Sequence, residues 1–223
     1  MRREKTTVSQ EDYLKAIWEI IQEEQEPISA RLAEELRVTP PAVTAALKRM
    51  TRDGYLRVSR SGRIRLTRRG RAIAEQLVLR HRLAEKLLTE VIGLEWTKAH
   101  EEAERLEHGI SAKVAALLLK MFGPDSYCPH GVPLFGGMAK LRRQAGAVRL
   151  AEVEPGRTVE VLRVYEKDAR FLDFVEGLRL RPGVRVRIER REYDETMTLA
   201  LGRRRLHLGK PATDRIWVRT LPA

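Results

Sequence analysis

Residues 100–110 contain the densest group of potential metal ligands in the chain. The segment has no proline and only one glycine, near its end, so a helix is predicted here. Four side chains would then share an arc of about 100° on one helix face: His100, Glu104, Glu107 and His108. Two carboxylates and two imidazoles this close would repel each other and take up protons unless a cation lay among them. The pattern fits a divalent-metal site, and it also fits a solvated, salt-bridged helix.

Two further pairs of potential ligands lie outside this segment. His81 and Glu85 stand four residues apart in what is predicted to be the preceding helix, a spacing at which one helix face can supply two ligands to one ion. If the two helices pack antiparallel, His81, Glu85 and His100 would meet, although such a pair is also common on ordinary helix surfaces. Cys128 and His130 lie in a turn-rich segment with no further pair after them, which favours a structural turn over a metal site.

The composition is that of an ordinary globular chain with a strongly basic balance. Its 223 residues carry 43 Lys and Arg against 31 Asp and Glu, a net charge of +12, which indicates nucleic acid as the leading partner. No run approaches the roughly 18 apolar residues of a membrane span, and the N-terminus lacks the apolar core of a signal peptide. A single cysteine excludes an intrachain disulfide framework. We therefore expect a cytoplasmic protein with no membrane partner.

Three predicted helices followed by a basic hairpin open the chain. Ser9 is the expected cap of the first helix, residues 29–38 form the second, and Thr39 caps the third. Two alternating strands around a Ser-Gly turn follow, and residues 57–71 include seven arginines and no acid. This order is that of a winged helix-turn-helix, whose third helix enters the major groove while the hairpin lies on the DNA backbone. The basic side chains predicted to bind DNA on these elements include Lys48, Arg60 and Arg63.

The rest of the chain divides into a helical part and a strand-rich part. A long helix over residues 71–91 precedes the ligand-rich helix, which Thr97 is expected to cap. The helix predicted over residues 111–122 is more apolar than a small monomeric domain needs, so we predict that it forms part of a dimer interface. Residues 135–147 are predicted to form a linker, and strand-like segments from Val148 onward predict a small β-barrel. The predicted fold is mainly α with C-terminal β, in three domains: a winged helix-turn-helix at 1–72, a helical dimerisation and metal-binding domain at 73–140, and the barrel at 148–223.

Five motifs together resemble the diphtheria-toxin-repressor family of metal-dependent transcriptional repressors, which has iron-dependent and manganese-dependent branches. They lie at residues 11–17, 39–44, 80–85, 100–108 and 128–131. The resemblance covers roughly residues 8–135, and the C-terminal part is similar to the SH3-like, ferrous-transport-type module of longer members. It implies a repressor that binds operator DNA as a homodimer and controls genes for metal-ion uptake.

The resemblance also implies two metal sites and a set of DNA contacts. The implied primary site is made by Asp12, Glu104, Glu107 and His108. The implied ancillary site is made by His81, Glu85 and His100, with Asp168 as our choice for a ligand from the C-terminal domain. The implied DNA contacts are Thr39, Pro41 and Thr44.

Two departures from the iron branch favour manganese. Iron-branch members resemble this chain but have Met at the position of Asp12 and Cys at that of Glu104. Hard oxygen ligands suit Mn²⁺ better than softer ions, so we predict a Mn²⁺-dependent repressor, with Fe²⁺ as the alternative. Lys15 stands where short manganese-branch members have a Glu ligand. The chain thus combines a manganese-type primary site with a separate ancillary site.

Two other functions make different demands on the sequence. Residues 104–108 superficially resemble an inverted zinc-protease motif, but that motif needs His at position 104, so an enzyme is not expected. A constitutive DNA-binding protein would use the same side chains as a salt-bridge network and would bind its operator without metal. In the metal-dependent alternative, a divalent ion draws Asp12 onto the face of Glu104 and His108, which fixes the spacing of two winged helices in a dimer.

Overall fold

The structure is a computed structural model and describes residues 6–222. Residues 1–5 of the predicted domain 1–72 and residue 223 of the predicted domain 148–223 lie outside the described residues. The described helices are α1 (Val8–Gln22), α2 (Ser29–Glu35), α3 (Pro40–Arg52), α4 (Arg68–Lys86), α5 (Trp96–Leu106), α6 (Ala112–Phe122), α7 (Gly137–Ala145), α8 (Ala169–Gly177) and α9 (Lys210–Thr213). The described strands are β1 (Leu56–Val58), β2 (Ile64–Leu66), β3 (Val148–Arg149), β4 (Thr158–Val164), β5 (Arg185–Arg191), β6 (Met197–Leu201), β7 (Arg204–Leu208) and β8 (Ile216–Thr220).

The described chain divides into two compact units. The first runs through His81 and also contains Leu106–Leu117, and the second contains Arg82–Arg105 and the residues from Leu118 onward. No helix among residues 6–222 is long and apolar enough to cross a membrane.

The first unit begins with three helices that share one apolar core. Helix α1 is capped by Thr7, whose hydroxyl accepts from the Gln10 amide at 3.3 Å while the Gln10 side chain accepts from the Thr7 amide at 3.0 Å. The predicted cap at Ser9 is wrong, because this reciprocal pair starts the helix two residues earlier. Apolar side chains from all three helices are buried together in one core, among them Leu14, Ile17, Leu32, Leu47 and Met50.

Helix α3 and the β1–β2 hairpin confirm the predicted winged helix-turn-helix order. Thr39 precedes α3 with an extended backbone, and proline occupies the first turn. Proline is tolerated there because an N–H in the first turn has no intrahelical partner. Strands β1 and β2 pair antiparallel, with Leu56 opposite Leu66. Gly70, in the first turn of α4, lies so close to the hairpin that a Cβ there would be 2.0 Å from the Tyr55 carbonyl oxygen. Only glycine allows the long helix to lie this close to the hairpin.

The second unit contains a six-stranded antiparallel sheet in the order β3-β8-β4-β5-β6-β7. Alternate residues of the strands enter one core that they share with α8: Val159, Val161, Val186, Ile188 and Leu199. The predicted C-terminal β domain is confirmed. Strand β7 was not predicted, because the arginines at 203–205 obscure its two inward leucines, Leu206 and Leu208.

Helix α7 replaces the linker that was predicted over residues 135–147. The glycines on either side of the helix gave the sequence a loop-like composition. In the folded chain, however, Leu141 is buried against Ala147 and Trp217. This apolar contact, made with a strand far along the chain, stabilises the short helix.

Candidate metal-binding sites

Three side chains of the first unit form a candidate metal centre: Asp12, Glu107 and His108. One ligand atom of each lies within 4.8 Å of the others. Asp12 lies in the second turn of α1, whereas Glu107–Gly109 form a 3₁₀ turn directly after α5. The prediction of one continuous α-helix through His108 is therefore wrong. The backbone tightens before Gly109 and is extended at Ile110, which ends the helix.

Both ring nitrogens of His108 face carboxylates of α1. Nε2 lies 2.9 Å from Oδ1 of Asp12, and Nδ1 lies 2.9 Å from Oε2 of Glu11. A histidine that binds metal through one nitrogen usually donates its other N–H to a carboxylate or carbonyl, which fixes the ring and its tautomer. Glu11 has this orienting position behind His108. Sequence reasoning missed Glu11, and the available signal was its place immediately before Asp12.

Glu107 belongs to this centre and also forms a buried ion pair with Lys15. Nζ of Lys15 donates to its two carboxylate oxygens at 2.9 and 2.7 Å and lies 3.1 Å from Nδ1 of His81. The same His81 nitrogen lies 2.6 Å from Oε2 of Glu107. His81, which was predicted as an ancillary ligand, therefore contacts a residue of the predicted primary site.

The pKa values of the two acidic groups of the centre, Asp12 and Glu107, are shifted in opposite directions. Burial raises the pKa of Asp12; the nearby His108 opposes this shift, and the charge of Glu107 adds to it. Burial also raises the pKa of Glu107, but the hydrogen bond from His81 and the charge of Lys15 outweigh it, and the net pKa lies below its ordinary value. Glu107 is thus held as a carboxylate. For Asp12, the nearby positive charge lowers the pKa by less than burial raises it.

A second candidate metal centre lies in the second unit and consists of Glu85, Cys128 and His130. One ligand atom of each lies within 4.8 Å of the others, and all three residues are buried. Oε1 of Glu85 lies 3.2 Å from Nδ1 of His130 and 3.1 Å from Nδ1 of His100. Folding brings Glu85 of α4 to Cys128 and His130, a contact that the interpretation of these two residues as a structural turn did not include.

A tight turn fixes Cys128 and His130. The amide of Gly131 donates to the Cys128 carbonyl at 2.9 Å. Gly131 has a φ of 90°, and a Cβ there would lie 1.8 Å from the carbonyl oxygen of Leu162, so no other residue fits. Nε2 of His130 donates to the carbonyl of Trp96 at 3.0 Å, which leaves Nδ1 as the nitrogen that faces the centre.

Contacts among Glu85, Cys128 and His130 shift the pKa values of His130 and Cys128. Burial lowers the pKa of His130, but the Glu85 carboxylate and Cys128 outweigh this and hold the pKa well above its ordinary value. Burial raises the pKa of the Cys128 thiol, and the charge of Glu85 adds to the shift. Metal ligation requires a thiolate and a neutral imidazole, so binding at this centre would release protons.

Helix α5 positions His100 and Glu104. The helix begins at Trp96, so Thr97 lies inside it and the predicted Thr97 cap is wrong. Glu104 stands one turn after His100, with an exposed side chain and a carboxylate oxygen 3.7 Å from Nε2 of His100. The assignment of Glu104 to the primary site stays a prediction.

Asp168, our predicted ligand from the C-terminal domain, has other partners. One carboxylate oxygen accepts a backbone amide at 3.2 Å as the cap of α8, and the other accepts from Arg215 at 2.6 Å. Glu166, two residues earlier, has a side chain that is only 14% exposed. Burial raises the pKa of Glu166, but the charges of Arg163 and of the nearby His130 outweigh this and lower it. Glu166 accepts a hydrogen bond from Arg163 at 3.1 Å and is the more buried carboxylate of the two. The choice of Asp168 as a ligand stays a prediction.

The side chains predicted to bind DNA are exposed on α3 and on the hairpin: Thr39, Pro41, Thr44, Lys48, Arg60 and Arg63. Two of them also make local contacts, because Thr44 donates to the Pro40 carbonyl at 3.1 Å and Arg63 forms an ion pair with Glu26. Their contact with DNA stays a prediction.

Helix α6 bears apolar side chains that are exposed in the single chain. Val114, Leu117 and Met121 lie at helical spacing, and Leu117 is 60% exposed. Exposed apolar groups at this spacing are typical of a helix that packs against another chain.

The donor sets of both centres fit divalent cations. The first offers two carboxylates and an imidazole, so all of its ligand atoms are oxygen or nitrogen. This set suits Mn²⁺ and Fe²⁺. The second adds the sulfur of Cys128, which makes it suitable for softer ions such as Zn²⁺ as well.

Comparison with known protein families identifies three matching regions. The N-terminal DNA-binding domain of iron-dependent repressors matches residues 5–63, their metal-binding and dimerisation domain matches residues 67–136, and the FeoA domain matches residues 148–220.

Individual relatives agree with these matches. The iron-dependent repressor IdeR of Mycobacterium leprae is 37% identical over 158 residues, which cover 68% of this chain and 69% of that protein. The diphtheria toxin repressor of Corynebacterium diphtheriae is 40% identical over 126 residues, 56% of each chain. A solved manganese-dependent transcriptional repressor in complex with manganese has a TM-score of 0.82 and 29% identity, covering 95% of this chain and 100% of that one. The chain therefore belongs to the iron-dependent, or diphtheria toxin, repressor family and is a metal-dependent transcriptional repressor.

Proposed function

We propose that this chain is a Mn²⁺-dependent repressor that binds operator DNA as a homodimer and controls genes for metal-ion uptake, with Fe²⁺ as the alternative ion. The centre formed by Asp12, Glu107 and His108 is the observation that carries the proposal. It connects α1 of the winged helix to the turn after α5 through oxygen and nitrogen donors alone. Such donors suit Mn²⁺ better than ions that prefer thiolate ligands.

The position of Asp12 explains how this centre can control DNA binding. A bound divalent cation would supply the positive charge that Asp12 needs in order to stay a carboxylate beside Glu107. Asp12 is rigidly attached to the winged helix, because Leu14 and Ile17 of the same helix share a core with α3. Holding Asp12 therefore holds the predicted recognition helix. Allosteric couplings of about 1–3 kcal/mol, or roughly 5- to 150-fold in affinity, are typical of such linkage.

We further propose that Glu85, Cys128 and His130, with Glu166 as a fourth ligand, form the ancillary site. His100 then supports the site through its 3.1 Å contact with Glu85. The predicted group of His81, Glu85 and His100 stays the alternative. The division into domains 1–72, 73–140 and 148–223 remains part of the same proposal.

Metal analysis separates the two sites. Chelator-treated protein is titrated with Mn²⁺, and bound metal is measured per chain for wild type, Asp12→Ala and Cys128→Ala. We expect Asp12→Ala to lose the ion of the primary site and Cys128→Ala to lose only the ion of the ancillary site. Full metal content in Asp12→Ala would contradict the primary assignment. Full metal content in Cys128→Ala, with one ion lost in His100→Ala, would favour the alternative ancillary group.

The proposed dimer is tested separately on α6. Analytical ultracentrifugation should show a dimer for wild type and for Lys113→Glu, which changes an exposed polar residue of the same helix. Leu117→Glu should be monomeric with an unchanged circular dichroism spectrum, because its side chain is largely exposed in the single chain. A monomeric wild type, or a dimer that tolerates Leu117→Glu, would refute this interface.

A further inference from the structure

The outward face of the C-terminal sheet carries arginines at positions that alternate with its core. In β5, Val186 and Ile188 are buried, whereas Arg187 between them is exposed. Ala200 of β6 lies opposite Arg187, and Arg205 of β7 lies opposite Ala200. Directly opposite residues share one face of a sheet. The two arginines therefore flank a small side chain on the side away from the core.

Three more exposed arginines extend this basic surface. Arg185 of β5 and Arg219 of β8 both lie opposite Glu160 of β4. Arg203 lies in the two-residue turn between β6 and β7, next to Arg204, which pairs with Leu201. We call five exposed residues of this surface the arginine face: Arg185, Arg187, Arg203, Arg205 and Arg219.

Carboxylates neutralise only part of the charge of the arginine face. Two glutamates, Glu160 and Glu189, pair with three of the five arginines at distances of 2.5–3.7 Å. In the part of the chain that the structure describes, no ion pair involves Arg187 or Arg203. Five arginines against two glutamates therefore leave an excess of three positive charges on this surface.

Protection of a sheet edge explains only part of this pattern. Strand β7 lies at an edge of the sheet, and charged side chains on an edge hinder pairing with another chain. Strand β5, however, is an interior strand between β4 and β6, so Arg187 does not protect an edge. Exposed ion pairs also contribute little to stability. A polyanionic partner accounts for the excess charge on both strands.

We propose that the arginine face binds the sugar-phosphate backbone of duplex DNA, independently of base sequence, as a second DNA contact of this chain. The proposal rests on the proposed function for its partner, because operator DNA is the polyanion that the winged helix binds. Guanidinium groups bind phosphate through two parallel hydrogen bonds. A duplex held by one part of a chain has a high effective concentration for another part, so weak backbone contacts add to the affinity.

The salt dependence of DNA affinity tests the proposal in the full chain. Fluorescence anisotropy would give the affinity of protein with Mn²⁺ for an upstream-region duplex and for a duplex of shuffled sequence, over a range of salt concentrations. We expect Arg187→Gln/Arg203→Gln to bind both duplexes more weakly than wild type, by the same factor. The slope of log affinity against log salt should become shallower by about two, since each lost phosphate contact reduces it by about one.

The matched control is Arg170→Gln/Arg179→Gln. It removes the same charge from exposed positions in and just after α8, whose apolar side chains pack against the core side of the sheet. This control should keep the wild-type slope, and both variants should keep the wild-type circular dichroism spectrum.

Three results would overturn the proposal. The first is an unchanged slope in Arg187→Gln/Arg203→Gln, and the second is an equal change in the control. The third is loss of binding to phosphatidylserine vesicles in Arg187→Gln/Arg203→Gln with the wild-type DNA slope kept, because the face would then serve a membrane. If Mn²⁺ leaves the DNA affinity of wild type unchanged while the two slopes still differ, the proposed metal control fails and the second DNA contact stands.

Discussion

Substituting Glu11 by Gln should weaken Mn²⁺ binding at the primary centre without removing any ligand. Glu11 lies 2.9 Å from Nδ1 of His108, while Nε2 of the same ring lies 2.9 Å from Asp12. For Nε2 to bind metal, the proton of the neutral ring must sit on Nδ1, where the Glu11 carboxylate accepts it. The His108 and Glu11 side chains are 18% and 20% exposed, so water competes only in part for this hydrogen bond.

The size of the effect follows from the type of hydrogen bond that is lost. A hydrogen bond to a charged acceptor is roughly twice as strong as one between neutral groups, and the amide introduced by Glu11→Gln would keep a neutral acceptor. Losing such an orienting partner typically lowers metal affinity by about 10- to 100-fold. We expect Glu11→Gln to lie near the lower limit, at about 10-fold or about 1.4 kcal/mol, and Glu11→Ala near the upper limit.

Competition with a fluorescent chelator measures this affinity directly. Glu19→Gln, two turns further along α1, is the matched control and should bind Mn²⁺ like wild type. The order of affinities should be wild type, then Glu11→Gln, then Glu11→Ala, with melting temperatures that stay similar in chelator. Equal affinity in wild type and Glu11→Ala would refute the orienting role of this carboxylate.

Two further predictions concern stability. Gly70→Ala should lower the free energy of unfolding by about 1–3 kcal/mol, as overpacking usually does, because its Cβ would lie 2.0 Å from the Tyr55 carbonyl oxygen; an unchanged denaturation midpoint would contradict this. The hydrogen bond from Arg181 lowers the pKa of Glu176, burial raises it, and the hydrogen bond from Trp96 lowers it further, so the net pKa lies below its ordinary value of 4.5. The charge of Glu176 therefore stabilises the fold above pH 4.5 and loses this effect as the pH falls through the lower folded-state pKa. Thermal melts should show Glu176→Gln as less stable than wild type at pH 7 and equal to it in acid, and a difference independent of pH would count against the reasoning.

The winged helix and the C-terminal sheet could be predicted because the sequence signals that specify them are local. The Thr39-Pro-Pro start of α3, the apolar spacing of α1 and the strand alternation after Val148 each act over a few residues. Asp12, Glu107 and His108 were grouped by resemblance, although the structure sets the last two in a 3₁₀ turn and not on one α-helical face.

The features that sequence reasoning missed depend on contacts between distant segments. Glu85 meets Cys128 and His130 across more than forty positions, and no spacing rule along the chain predicts that contact. Helix α7 is likewise stabilised by packing against Trp217 of β8. The choice of Asp168 rests on a motif match, which fixes position only to within a residue or two; Glu166 in the same segment is the more buried of the two carboxylates.

Metal-dependent DNA binding tests the central claim most directly. Fluorescence anisotropy of a labelled duplex from an upstream region would be followed as Mn²⁺, or Fe²⁺ without oxygen, is added to chelator-treated wild type and to Asp12→Ala. The account predicts tight binding by wild type only after metal is added, and little or no metal response from Asp12→Ala. Equal binding by wild type with and without metal, or a full metal response in Asp12→Ala, would contradict control of the winged helix through this centre.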